Sequence, residues 1–222
     1  MDILQDLFGV FENRQEAGKL LANKLIHLKE KNPVILGLPR GGVLIAHEIA
    51  QALGTILDVV VARKLGAPDN PELAIGAVTE SGVVQLNPSI IESLDITEEY
   101  IESERQKQLA EIKRRVQVYR KVHQRVPLDK QIVVITDDGV ATGATVKAAI
   151  LGVQSENPAE LILAIPVGAE DILQELEKMA DELVCLKKPP IIGGVGQFYR
   201  DFSQVEDLEV VNILKRYSEN IN

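Results

Sequence analysis

Short, mostly apolar runs and amphipathic segments alternate along the chain. Such runs are typical of buried strands, and they occur at 33–39, 56–65, 133–135, 159–168 and 182–188. Apolar residues at helical spacing predict helices at 13–31, 41–54, 97–126, 146–153 and 169–180. Residues 73–86 predict a hairpin around Ser81 and Gly82. This order predicts an α/β fold with a mostly parallel central sheet flanked by helices, and ligands at the carboxyl ends of the strands.

The segment QIVVITDDGVATGATVKAAI, residues 131–150, places two adjacent aspartates directly after an apolar run. Asp-Gly is a common hairpin signal, so a turn between antiparallel strands is one interpretation. The apolar residues of 146–153 recur at helical spacing, however, which favours a helix after the loop. We therefore interpret the segment as a buried strand, an acidic pair, a loop of small residues and a helix.

This order of elements has a chemical use. A loop that opens a helix presents unpaired backbone N–H groups and the positive end of the helix dipole, and both attract phosphate. The small residues let the backbone approach an anion and the threonines add hydroxyls; the loop residues are Val140, Ala141, Thr142, Gly143, Ala144 and Thr145. Carboxylates repel phosphate but accept hydrogen bonds from sugar hydroxyls, so Asp137 and Asp138 suit a ribose. The segment indicates a site for ribose 5-phosphate.

The acidic pair followed by GVATGAT resembles the 5-phosphoribosyl 1-diphosphate (PRPP) motif of the type I phosphoribosyltransferases. In that family the acidic residues hold the ribose 2′ and 3′ hydroxyls and the loop holds the 5′-phosphate. The resemblance implies that Asp137 and Asp138 take the catalytic role and that residues 140–145 bind the phosphate. It also implies the family fold as a single domain over 1–222, with an inserted long helix at about 87–126 and a small hood of terminal segments, including about 187–222.

Two further segments are similar to the diphosphate-binding elements of the family. GLPRGGVLIA places Arg40, Gly41 and Gly42 between a strand and a helix. By itself this is a tight turn, but in the family the corresponding loop holds diphosphate through backbone amides. VVVARKLGAP ends a strand with Arg63 and Lys64, which form either a solvated edge or the basic pair that approaches diphosphate in several family members. The resemblance implies the binding role for both segments.

The segment GGVGQFYRDFSQVEDLEVV lacks the helix pattern and the acidic partner that a dinucleotide-binding glycine motif requires. It resembles the hood of the hypoxanthine-guanine phosphoribosyltransferases, in which an arginine after an aromatic residue contacts diphosphate. The resemblance implies that Arg200 binds diphosphate and that Phe198 or Tyr199 stacks on the base. The alternative is an aromatic pair that only closes the sheet.

The sequence does not identify the base. Family members that act on 6-oxopurines carry an aspartate in the phosphate loop, where this chain has Ala141. Enzymes for adenine and orotate lack that aspartate too, so the similarity points to several subfamilies. Glu72, in APDNPELAIG, is a candidate acid or base for the acceptor. The acceptor is therefore predicted only as a purine or pyrimidine base.

Composition and charge restrict the remaining function classes. The 222 residues carry a net charge of −9 with a pI of about 5.0, which disfavours nucleic acid and anionic membranes as partners. No apolar run reaches about 18 residues and the first residues lack the pattern of a signal peptide, so we expect a cytoplasmic protein. Cys185, the only cysteine, is predicted to be a small core residue, and the three histidines lack the spacing of zinc ligands.

The charged segment 97–126 is not part of the family core. Glutamates fill its first half and basic residues its second, which suits the helix dipole. Its apolar positions form a stripe that must pack on something; they are Leu109, Ile112, Val116, Tyr119 and Val122. A solvated helix that stabilises itself is one interpretation. We favour a lid over the site or a contact within a homodimer or higher homo-oligomer.

Three functions are compatible with these residues. The first is transfer of ribose 5-phosphate from PRPP to a nitrogenous base with release of diphosphate, in which Mg²⁺ is held mainly by PRPP rather than by protein ligands. The second is a protein that senses PRPP or a nucleotide without catalysis, and the third is a hydrolase or phosphorylase of ribose phosphates. The intact acidic pair favours catalysis, because its charges stabilise a ribose ring that becomes positive in the transition state.

Overall fold

Strands and helices alternate along the chain, of which the computed structural model describes residues 9–71, 73–80 and 82–218. The strands are Val34–Gly37 (β1), Leu57–Val59 (β2), Ala62–Gly66 (β3), Ala74–Thr79 (β4), Val84–Leu86 (β5), Ile132–Thr136 (β6), Glu160–Val167 (β7) and Glu182–Lys187 (β8). The α-helices are Arg14–Lys24 (α1), Gly41–Leu53 (α2), Pro88–Ser93 (α3), Glu98–Arg120 (α4), Ala144–Gln154 (α5), Glu170–Glu177 (α6) and Asp207–Ser218 (α7). Ile26–Lys31 and Val195–Phe198 form 3₁₀ helices.

Five parallel strands form the central sheet, in the spatial order β2, β1, β6, β7, β8. Successive residues face opposite sides of the sheet, and helices cover both sides. Ile35 and Val134 belong to one apolar cluster with residues of α1, α2 and α7, whereas Val133 belongs to a second cluster with residues of α5 and α6. The predicted α/β fold with a mostly parallel central sheet is confirmed. Because Gly37 of β1 lies opposite Thr136 of β6, the loops that follow these strands lie side by side.

A second sheet is antiparallel and contains β3, β4 and β5. The hairpin predicted over 73–86 is confirmed by the pairing of β4 with β5, although Ser81 lies outside the described residues. The single strand predicted over 56–65 is wrong, because β2 pairs with β1 in the central sheet and β3 pairs with β4 in the second sheet. An apolar run carries no signal for such a change of partner.

Helix α4 corresponds to the segment predicted to be an insertion, and it ends at Arg120 rather than at the predicted residue 126. It begins after Thr97, whose hydroxyl accepts a hydrogen bond from the backbone amide of Tyr100. The helix packs on β3, β4 and α7 of the same chain. Two residues of its apolar stripe, Ile112 and Tyr119, are only 2% and 0% exposed. The other three residues of the stripe, Leu109, Val116 and Val122, are partly buried, so a contact with a second copy of the chain stays a prediction.

Other element ends differ from the predictions. The helix predicted over 13–31 ends at Lys24, after which the chain tightens into a 3₁₀ helix, and the one predicted over 169–180 ends at Glu177. Helix α7 was not predicted. Its buried residues follow the helical spacing i, i+3, i+4, i+7; they are Val210, Ile213, Leu214 and Tyr217. The apolar spacing of a helix was therefore present in the sequence of α7, but the resemblance predicted a hood in this region and no helix.

Cys185 lies in β8, partly buried, and its thiol donates to the backbone carbonyl of Lys187 at 3.2 Å. Burial raises the pKa of this thiol to about 11, so it stays protonated at neutral pH and is a poor nucleophile. None of the helices in the described ranges has both the length and the apolar character that crossing a bilayer requires.

A buried ion-pair cluster joins the end of α4 to both sheets. The Arg120 guanidinium contacts Asp58 of β2 and Glu80, which follows β4, the latter at 2.9 Å. Asp58 is 1% exposed, and it also accepts hydrogen bonds from the backbone amides of Val59 and Val126 at 2.7 and 3.0 Å. Removing Arg120 would leave the Asp58 carboxylate desolvated without its guanidinium partner.

We expect Arg120→Met to lower the free energy of unfolding by about 3 kcal/mol, since Met keeps the aliphatic packing but leaves a buried charge unpaired. Arg105→Met is the matched control, because Arg105 lies on the same helix but pairs with Glu102 on the surface, at 2.7 Å. This control should unfold like the wild type. Urea denaturation of both variants measures the difference. Equal losses in both variants would contradict a special contribution from the buried cluster.

Candidate active site

Asp137 and Asp138 follow β6 directly, at the carboxyl end of the central sheet. Because β6 lies between β1 and β7, the pair occupies the middle of that sheet edge. The Asp137 carboxylate accepts a hydrogen bond from the backbone amide of Asp138 at 2.9 Å, and both residues are partly buried. The pair thus lies at the edge where parallel α/β sheets bind their ligands.

Arg14, the first residue of α1, is bonded to the second aspartate. Its Nε donates to Oδ2 of Asp138 at 2.8 Å, and its Nη1 donates to the backbone carbonyl of Ser203 at 2.9 Å. The Arg14 side chain is buried, and its Cζ lies 3.8 Å from the ring centre of Phe202. The start of α1 and the segment before α7 together hold one cation against the acidic pair.

Aromatic side chains from the two ends of the described chain support this contact. The Tyr199 hydroxyl donates to the backbone carbonyl of Asp138 at 2.6 Å, and the Tyr199 ring stacks on Phe202 with 5.1 Å between ring centres. Phe11 packs on Tyr199 at 5.3 Å, and the two residues form a parallel β-bridge. The N-terminal and C-terminal segments therefore meet beside the acidic pair.

Burial raises the pKa of both carboxyl groups above the ordinary value of 3.8, and that of Asp137 well above it. The charge of Asp138 raises the pKa of Asp137 further, while the Arg14 guanidinium opposes the effect of burial at Asp138. Because the groups share one site, the protonation of each depends on the other. Hydrogen-bond donors such as sugar hydroxyls would favour the ionised form of both.

The loop after the acidic pair opens α5 without a side-chain cap. Its N-cap residue is Gly143, at φ 73°, a left-handed conformation that glycine adopts without strain. A Cβ at Gly143 would lie 2.7 Å from Ile172, so both the backbone and the packing require glycine there. Ala141, Thr142 and Thr145 are exposed. Accessible small residues and uncapped first-turn amides are the features of a phosphate site.

Val140 and Ala144 frame this loop. Val140 is 2% exposed, and its amide donates to the carbonyl of Val167 at 2.8 Å, which fixes the start of the loop to the end of β7. Ala144 is the first residue of α5 and is partly buried. The loop is thus held at both ends by the sheet and by the helix.

The loop between β1 and α2 lies beside the acidic pair. Gly41 begins α2, and a Cβ there would lie 1.9 Å from Oδ2 of Asp138, so only glycine allows this approach. A Cβ at Gly42 would lie 2.7 Å from a backbone carbonyl at the end of β6. The N-terminus of α2 has no side-chain cap, and the peptide bond between Pro39 and Arg40 is cis. Two uncapped helix N-termini, those of α2 and α5, therefore converge on one edge of the sheet.

Arg63 and Lys64, predicted to bind diphosphate, lie on β3 at a cleft of about 420 Å³. Pro39 and Thr145 line the same cleft. The structure thus brings together the basic pair, the loop between β1 and α2, and the end of the phosphate loop. This juxtaposition joins residues that are far apart in the sequence.

The two other predicted arginines have protein partners elsewhere. Arg40 contacts Glu206, close to the start of α7, at 3.4 Å. Arg200 is exposed, and its Nη1 lies 2.6 Å from Glu12 on the surface. The role of Arg200 toward diphosphate stays a prediction.

Phe198 and Tyr199, the predicted base-stacking residues, are only 4% and 5% exposed. Their rings pack in the same apolar cluster as α1 and α2, which matches the alternative interpretation of an aromatic pair that closes the sheet. A direct contact with the base stays a prediction. Glu72, the candidate acid or base, lies outside the described residues.

Sequence reasoning missed Arg14 and Phe202. One signal for Arg14 was available, because a basic residue in the first turn of a helix opposes the helix dipole and needs another reason to be there. Phe202 follows the quoted Tyr-Arg-Asp run, but the sequence does not show that its ring lies under Arg14. The contacts of Arg14 with Asp138 and with Phe202 join segments more than 100 residues apart in the sequence, and no local pattern predicts them.

No three His, Cys, Asp or Glu side chains in the described part of the chain converge as a metal-binding group. The acidic pair and Glu104 of α4, which lines the cleft, supply carboxylates around the site, and Thr145 and Gln108 supply further oxygen atoms. Such a set suits an ion that takes most of its ligands from a bound phosphate compound.

Comparison with known proteins places these features in a family. The model of the phosphoribosyl transferase domain matches residues 11–203. Two Mycobacterium tuberculosis proteins, of strains CDC 1551 / Oshkosh and H37Rv, are provisionally named phosphoribosyl transferases and are each 44% identical over 207 residues, which is 93% of this chain and 47% of theirs. The chain thus spans about half the length of these curated relatives.

A solved structure, that of TT1426 from Thermus thermophilus, is 42% identical and superposes with a TM-score of 0.85. The match covers 94% of this chain and 99% of that one. The region matched by the family model contains the acidic pair, the two loops and the basic pair, and the chain belongs to the phosphoribosyl transferase domain family.

Proposed function

We propose that the protein transfers ribose 5-phosphate from PRPP to a nitrogenous base and releases diphosphate. The observation that carries this proposal is the convergence of two uncapped helix N-termini on a pair of adjacent carboxylates. The helix ends suit two phosphate groups, and the carboxylates suit sugar hydroxyls between them. PRPP presents its groups in this order, with a 5′-phosphate, a ribose, and a diphosphate on C1.

Each segment has a defined role in this proposal. Residues 140–145 bind the 5′-phosphate, and Arg40, Gly41 and Gly42 bind the diphosphate together with Arg63 and Lys64. Asp137 and Asp138 accept hydrogen bonds from the ribose 2′ and 3′ hydroxyls. Because Arg14 engages Oδ2 of Asp138, it orients the other carboxylate oxygen, Oδ1, toward the sugar.

The reaction needs no protein nucleophile. The bond between C1 and the diphosphate oxygen breaks and leaves its electron pair on the diphosphate, while a bond forms between C1 and a nitrogen of the base, which loses its proton. The ribose ring gains positive charge as the diphosphate departs, and the acidic pair stabilises that charge. Holding the two reactants in line and excluding water supplies the rest of the catalysis.

Mg²⁺ fits the site as an ion carried by the substrate. It prefers oxygen ligands and keeps few protein contacts, so the diphosphate would supply most of its ligands and Asp137 and Asp138 would be carboxylates available to hold it. When bound, the ion neutralises charge on the diphosphate and makes it a better leaving group.

Phosphorus NMR of the protein mixed with PRPP, Mg²⁺ and single purine or pyrimidine bases tests the proposal. We expect diphosphate to appear with one of the bases and not without a base. Release of diphosphate in the absence of any base would indicate a hydrolase. Tight binding of PRPP without release in the presence of any base would indicate a sensor, and either outcome would overturn the transfer reaction.

Replacing Asp137 and Asp138 together by Asn should lower the turnover number more than the affinity for PRPP. Asn keeps the size and hydrogen-bonding capacity but removes the charges that stabilise the positive ring. We expect a loss of transition-state stabilisation on the order of 2 to 4 kcal/mol beyond any loss in binding. Calorimetry of PRPP binding and steady-state diphosphate release measure the two effects. A double variant that turns over at the wild-type rate when saturated would contradict the catalytic role of the pair.

Asp137→Asn alone should stabilise the folded protein at neutral pH. The folded state raises the pKa of this carboxyl group, so it binds the proton more tightly than the unfolded state and the charged form opposes folding. Well below the ordinary value of 3.8 the group is protonated in both states, and variant and wild type should be equally stable. The advantage of the variant should grow as the pH rises through 3.8 toward the raised pKa, and then stay constant.

Thermal unfolding of both proteins across this pH range measures the effect. Asp138→Asn is the contrasting variant, because the Arg14 guanidinium offsets part of the effect of burial on this carboxyl group and the gain in stability should be smaller than in Asp137→Asn. An Asp137→Asn variant that melts below the wild type at neutral pH would show that burial of this charge is not destabilising.

A further inference from the structure

Helix α4 supplies part of the wall of the cleft that contains Arg63 and Lys64. The cleft of about 420 Å³ is lined by four residues of α4, which are Glu104, Lys107, Gln108 and Arg115. Thr145 of the phosphate loop and Pro39 of the neighbouring loop line the same cleft. The inserted helix therefore borders the place where the two anion-binding loops meet.

Positive charge is concentrated in this cleft. Among its lining residues four are basic and only Glu104 is acidic; the basic residues are Arg63, Lys64, Lys107 and Arg115. The whole chain carries a net charge of −9, so the charge of this cleft is opposite in sign to that of the protein. A cleft lined by one sign of charge focuses the electrostatic potential and attracts ions of the opposite sign.

Helix α4 also positions Arg63. The Nε of Arg63 donates to Oε1 of Gln108, and its Nη1 lies 4.0 Å from Glu111. Gln108 is 8% exposed and lies in the packed face of the helix. The guanidinium predicted to approach diphosphate is thus held by α4.

The basic residues of α4 are held by bonds that a ligand can replace. Lys107, Glu111 and Arg115 are four residues apart and therefore lie on one face of the helix. Arg115 lies 2.9 Å from Glu111, and Lys107 lies 3.3 Å from Glu104. Surface ion pairs within a helix contribute little to stability, whereas hydrogen bonds from these cations to phosphate are stronger.

We propose that Lys107 and Arg115 bind the diphosphate group of the ligand, next to Arg63 and Lys64. The assignment rests on the proposed function, which sets the 5′-phosphate on residues 140–145 and the diphosphate on the side of Pro39. The planar guanidinium of Arg115 suits two oxygens of one phosphate group, and the ammonium of Lys107 acts as a mobile point charge. Anchoring of α4 through its buried stripe holds both cations at the rim of the cleft.

Calorimetric titration of the full chain with magnesium diphosphate, PRPP and ribose 5-phosphate tests the assignment. We expect Lys107→Gln and Arg115→Gln each to weaken diphosphate and PRPP about tenfold or more, since each removes a charged hydrogen-bond donor. Ribose 5-phosphate should bind both variants as it binds the wild type. Arg105→Gln is the control, because it removes one positive charge from the same helix at a residue that pairs with Glu102 and does not line the cleft.

Each outcome bears on the assignment. Unchanged affinity for diphosphate in both variants would overturn it. An equal loss of affinity in Arg105→Gln would overturn it too, because the loss would then come from the total charge of the helix and not from contact with the ligand. A wild type that does not bind magnesium diphosphate would also overturn it. If diphosphate binds and the variants weaken it, but no base supports turnover, then the transfer reaction fails while the assignment of the two cations stands.

Discussion

The position of two carboxylates at the end of a buried strand is the constraint on which the rest of the site depends. β6 is covered on both faces, so Asp137 and Asp138 leave the sheet where water is scarce and two helices begin nearby. Their charges oppose folding, and nothing in the packing of the sheet requires them. Neighbouring residues accommodate these carboxylates. Gly41 leaves space for the Asp138 side chain because it has no Cβ, and the buried Arg14 pairs with Asp138. Buried carboxylates of this kind support the proposal that the pair binds a ligand which donates hydrogen bonds to it.

Arg14 connects this constraint to the two ends of the described chain. Its guanidinium bonds to Asp138, lies over Phe202 and donates to the backbone of Ser203, so α1 and the segment before α7 must pack together for the site to form. The pairing of Phe11 with Tyr199 fixes the same two segments. Assembly of the acidic pair is therefore coupled to the closure of the fold. A substitution that loosens either terminal segment would reach the site through Arg14, although it lies far away in the sequence.

Local patterns predicted the parts of this protein that have local causes. Alternating apolar runs gave the central sheet, and the order of strand, carboxylates, small residues and helix placed Asp137, Asp138 and the loop 140–145 at the sheet edge, where the structure has them. Contacts between distant segments had no such signal. Tertiary packing determines three such features. They are the change of sheet between β2 and β3, the bond of Arg14 to Asp138, and the ion pair of Arg200 with Glu12. Resemblance to a family supplied roles for residues. It also predicted a hood over the segment that contains α7, whose helical spacing was therefore not used.

Helix α4 borders the cleft at the basic pair without belonging to the central sheet. Its buried positions Gln108, Ile112 and Tyr119 hold it on β3 and α7. The charged positions Lys107, Glu111 and Arg115 follow the adjacent face, and the two basic ones line the cleft. Because the two faces adjoin, burial of one fixes the place of the other, and a rigid helix holds cations more accurately than a loop. If the proposed assignment of Lys107 and Arg115 is correct, an acidic protein gathers its cations for a highly charged anion on this helix, while the two loops at the sheet edge supply backbone amides.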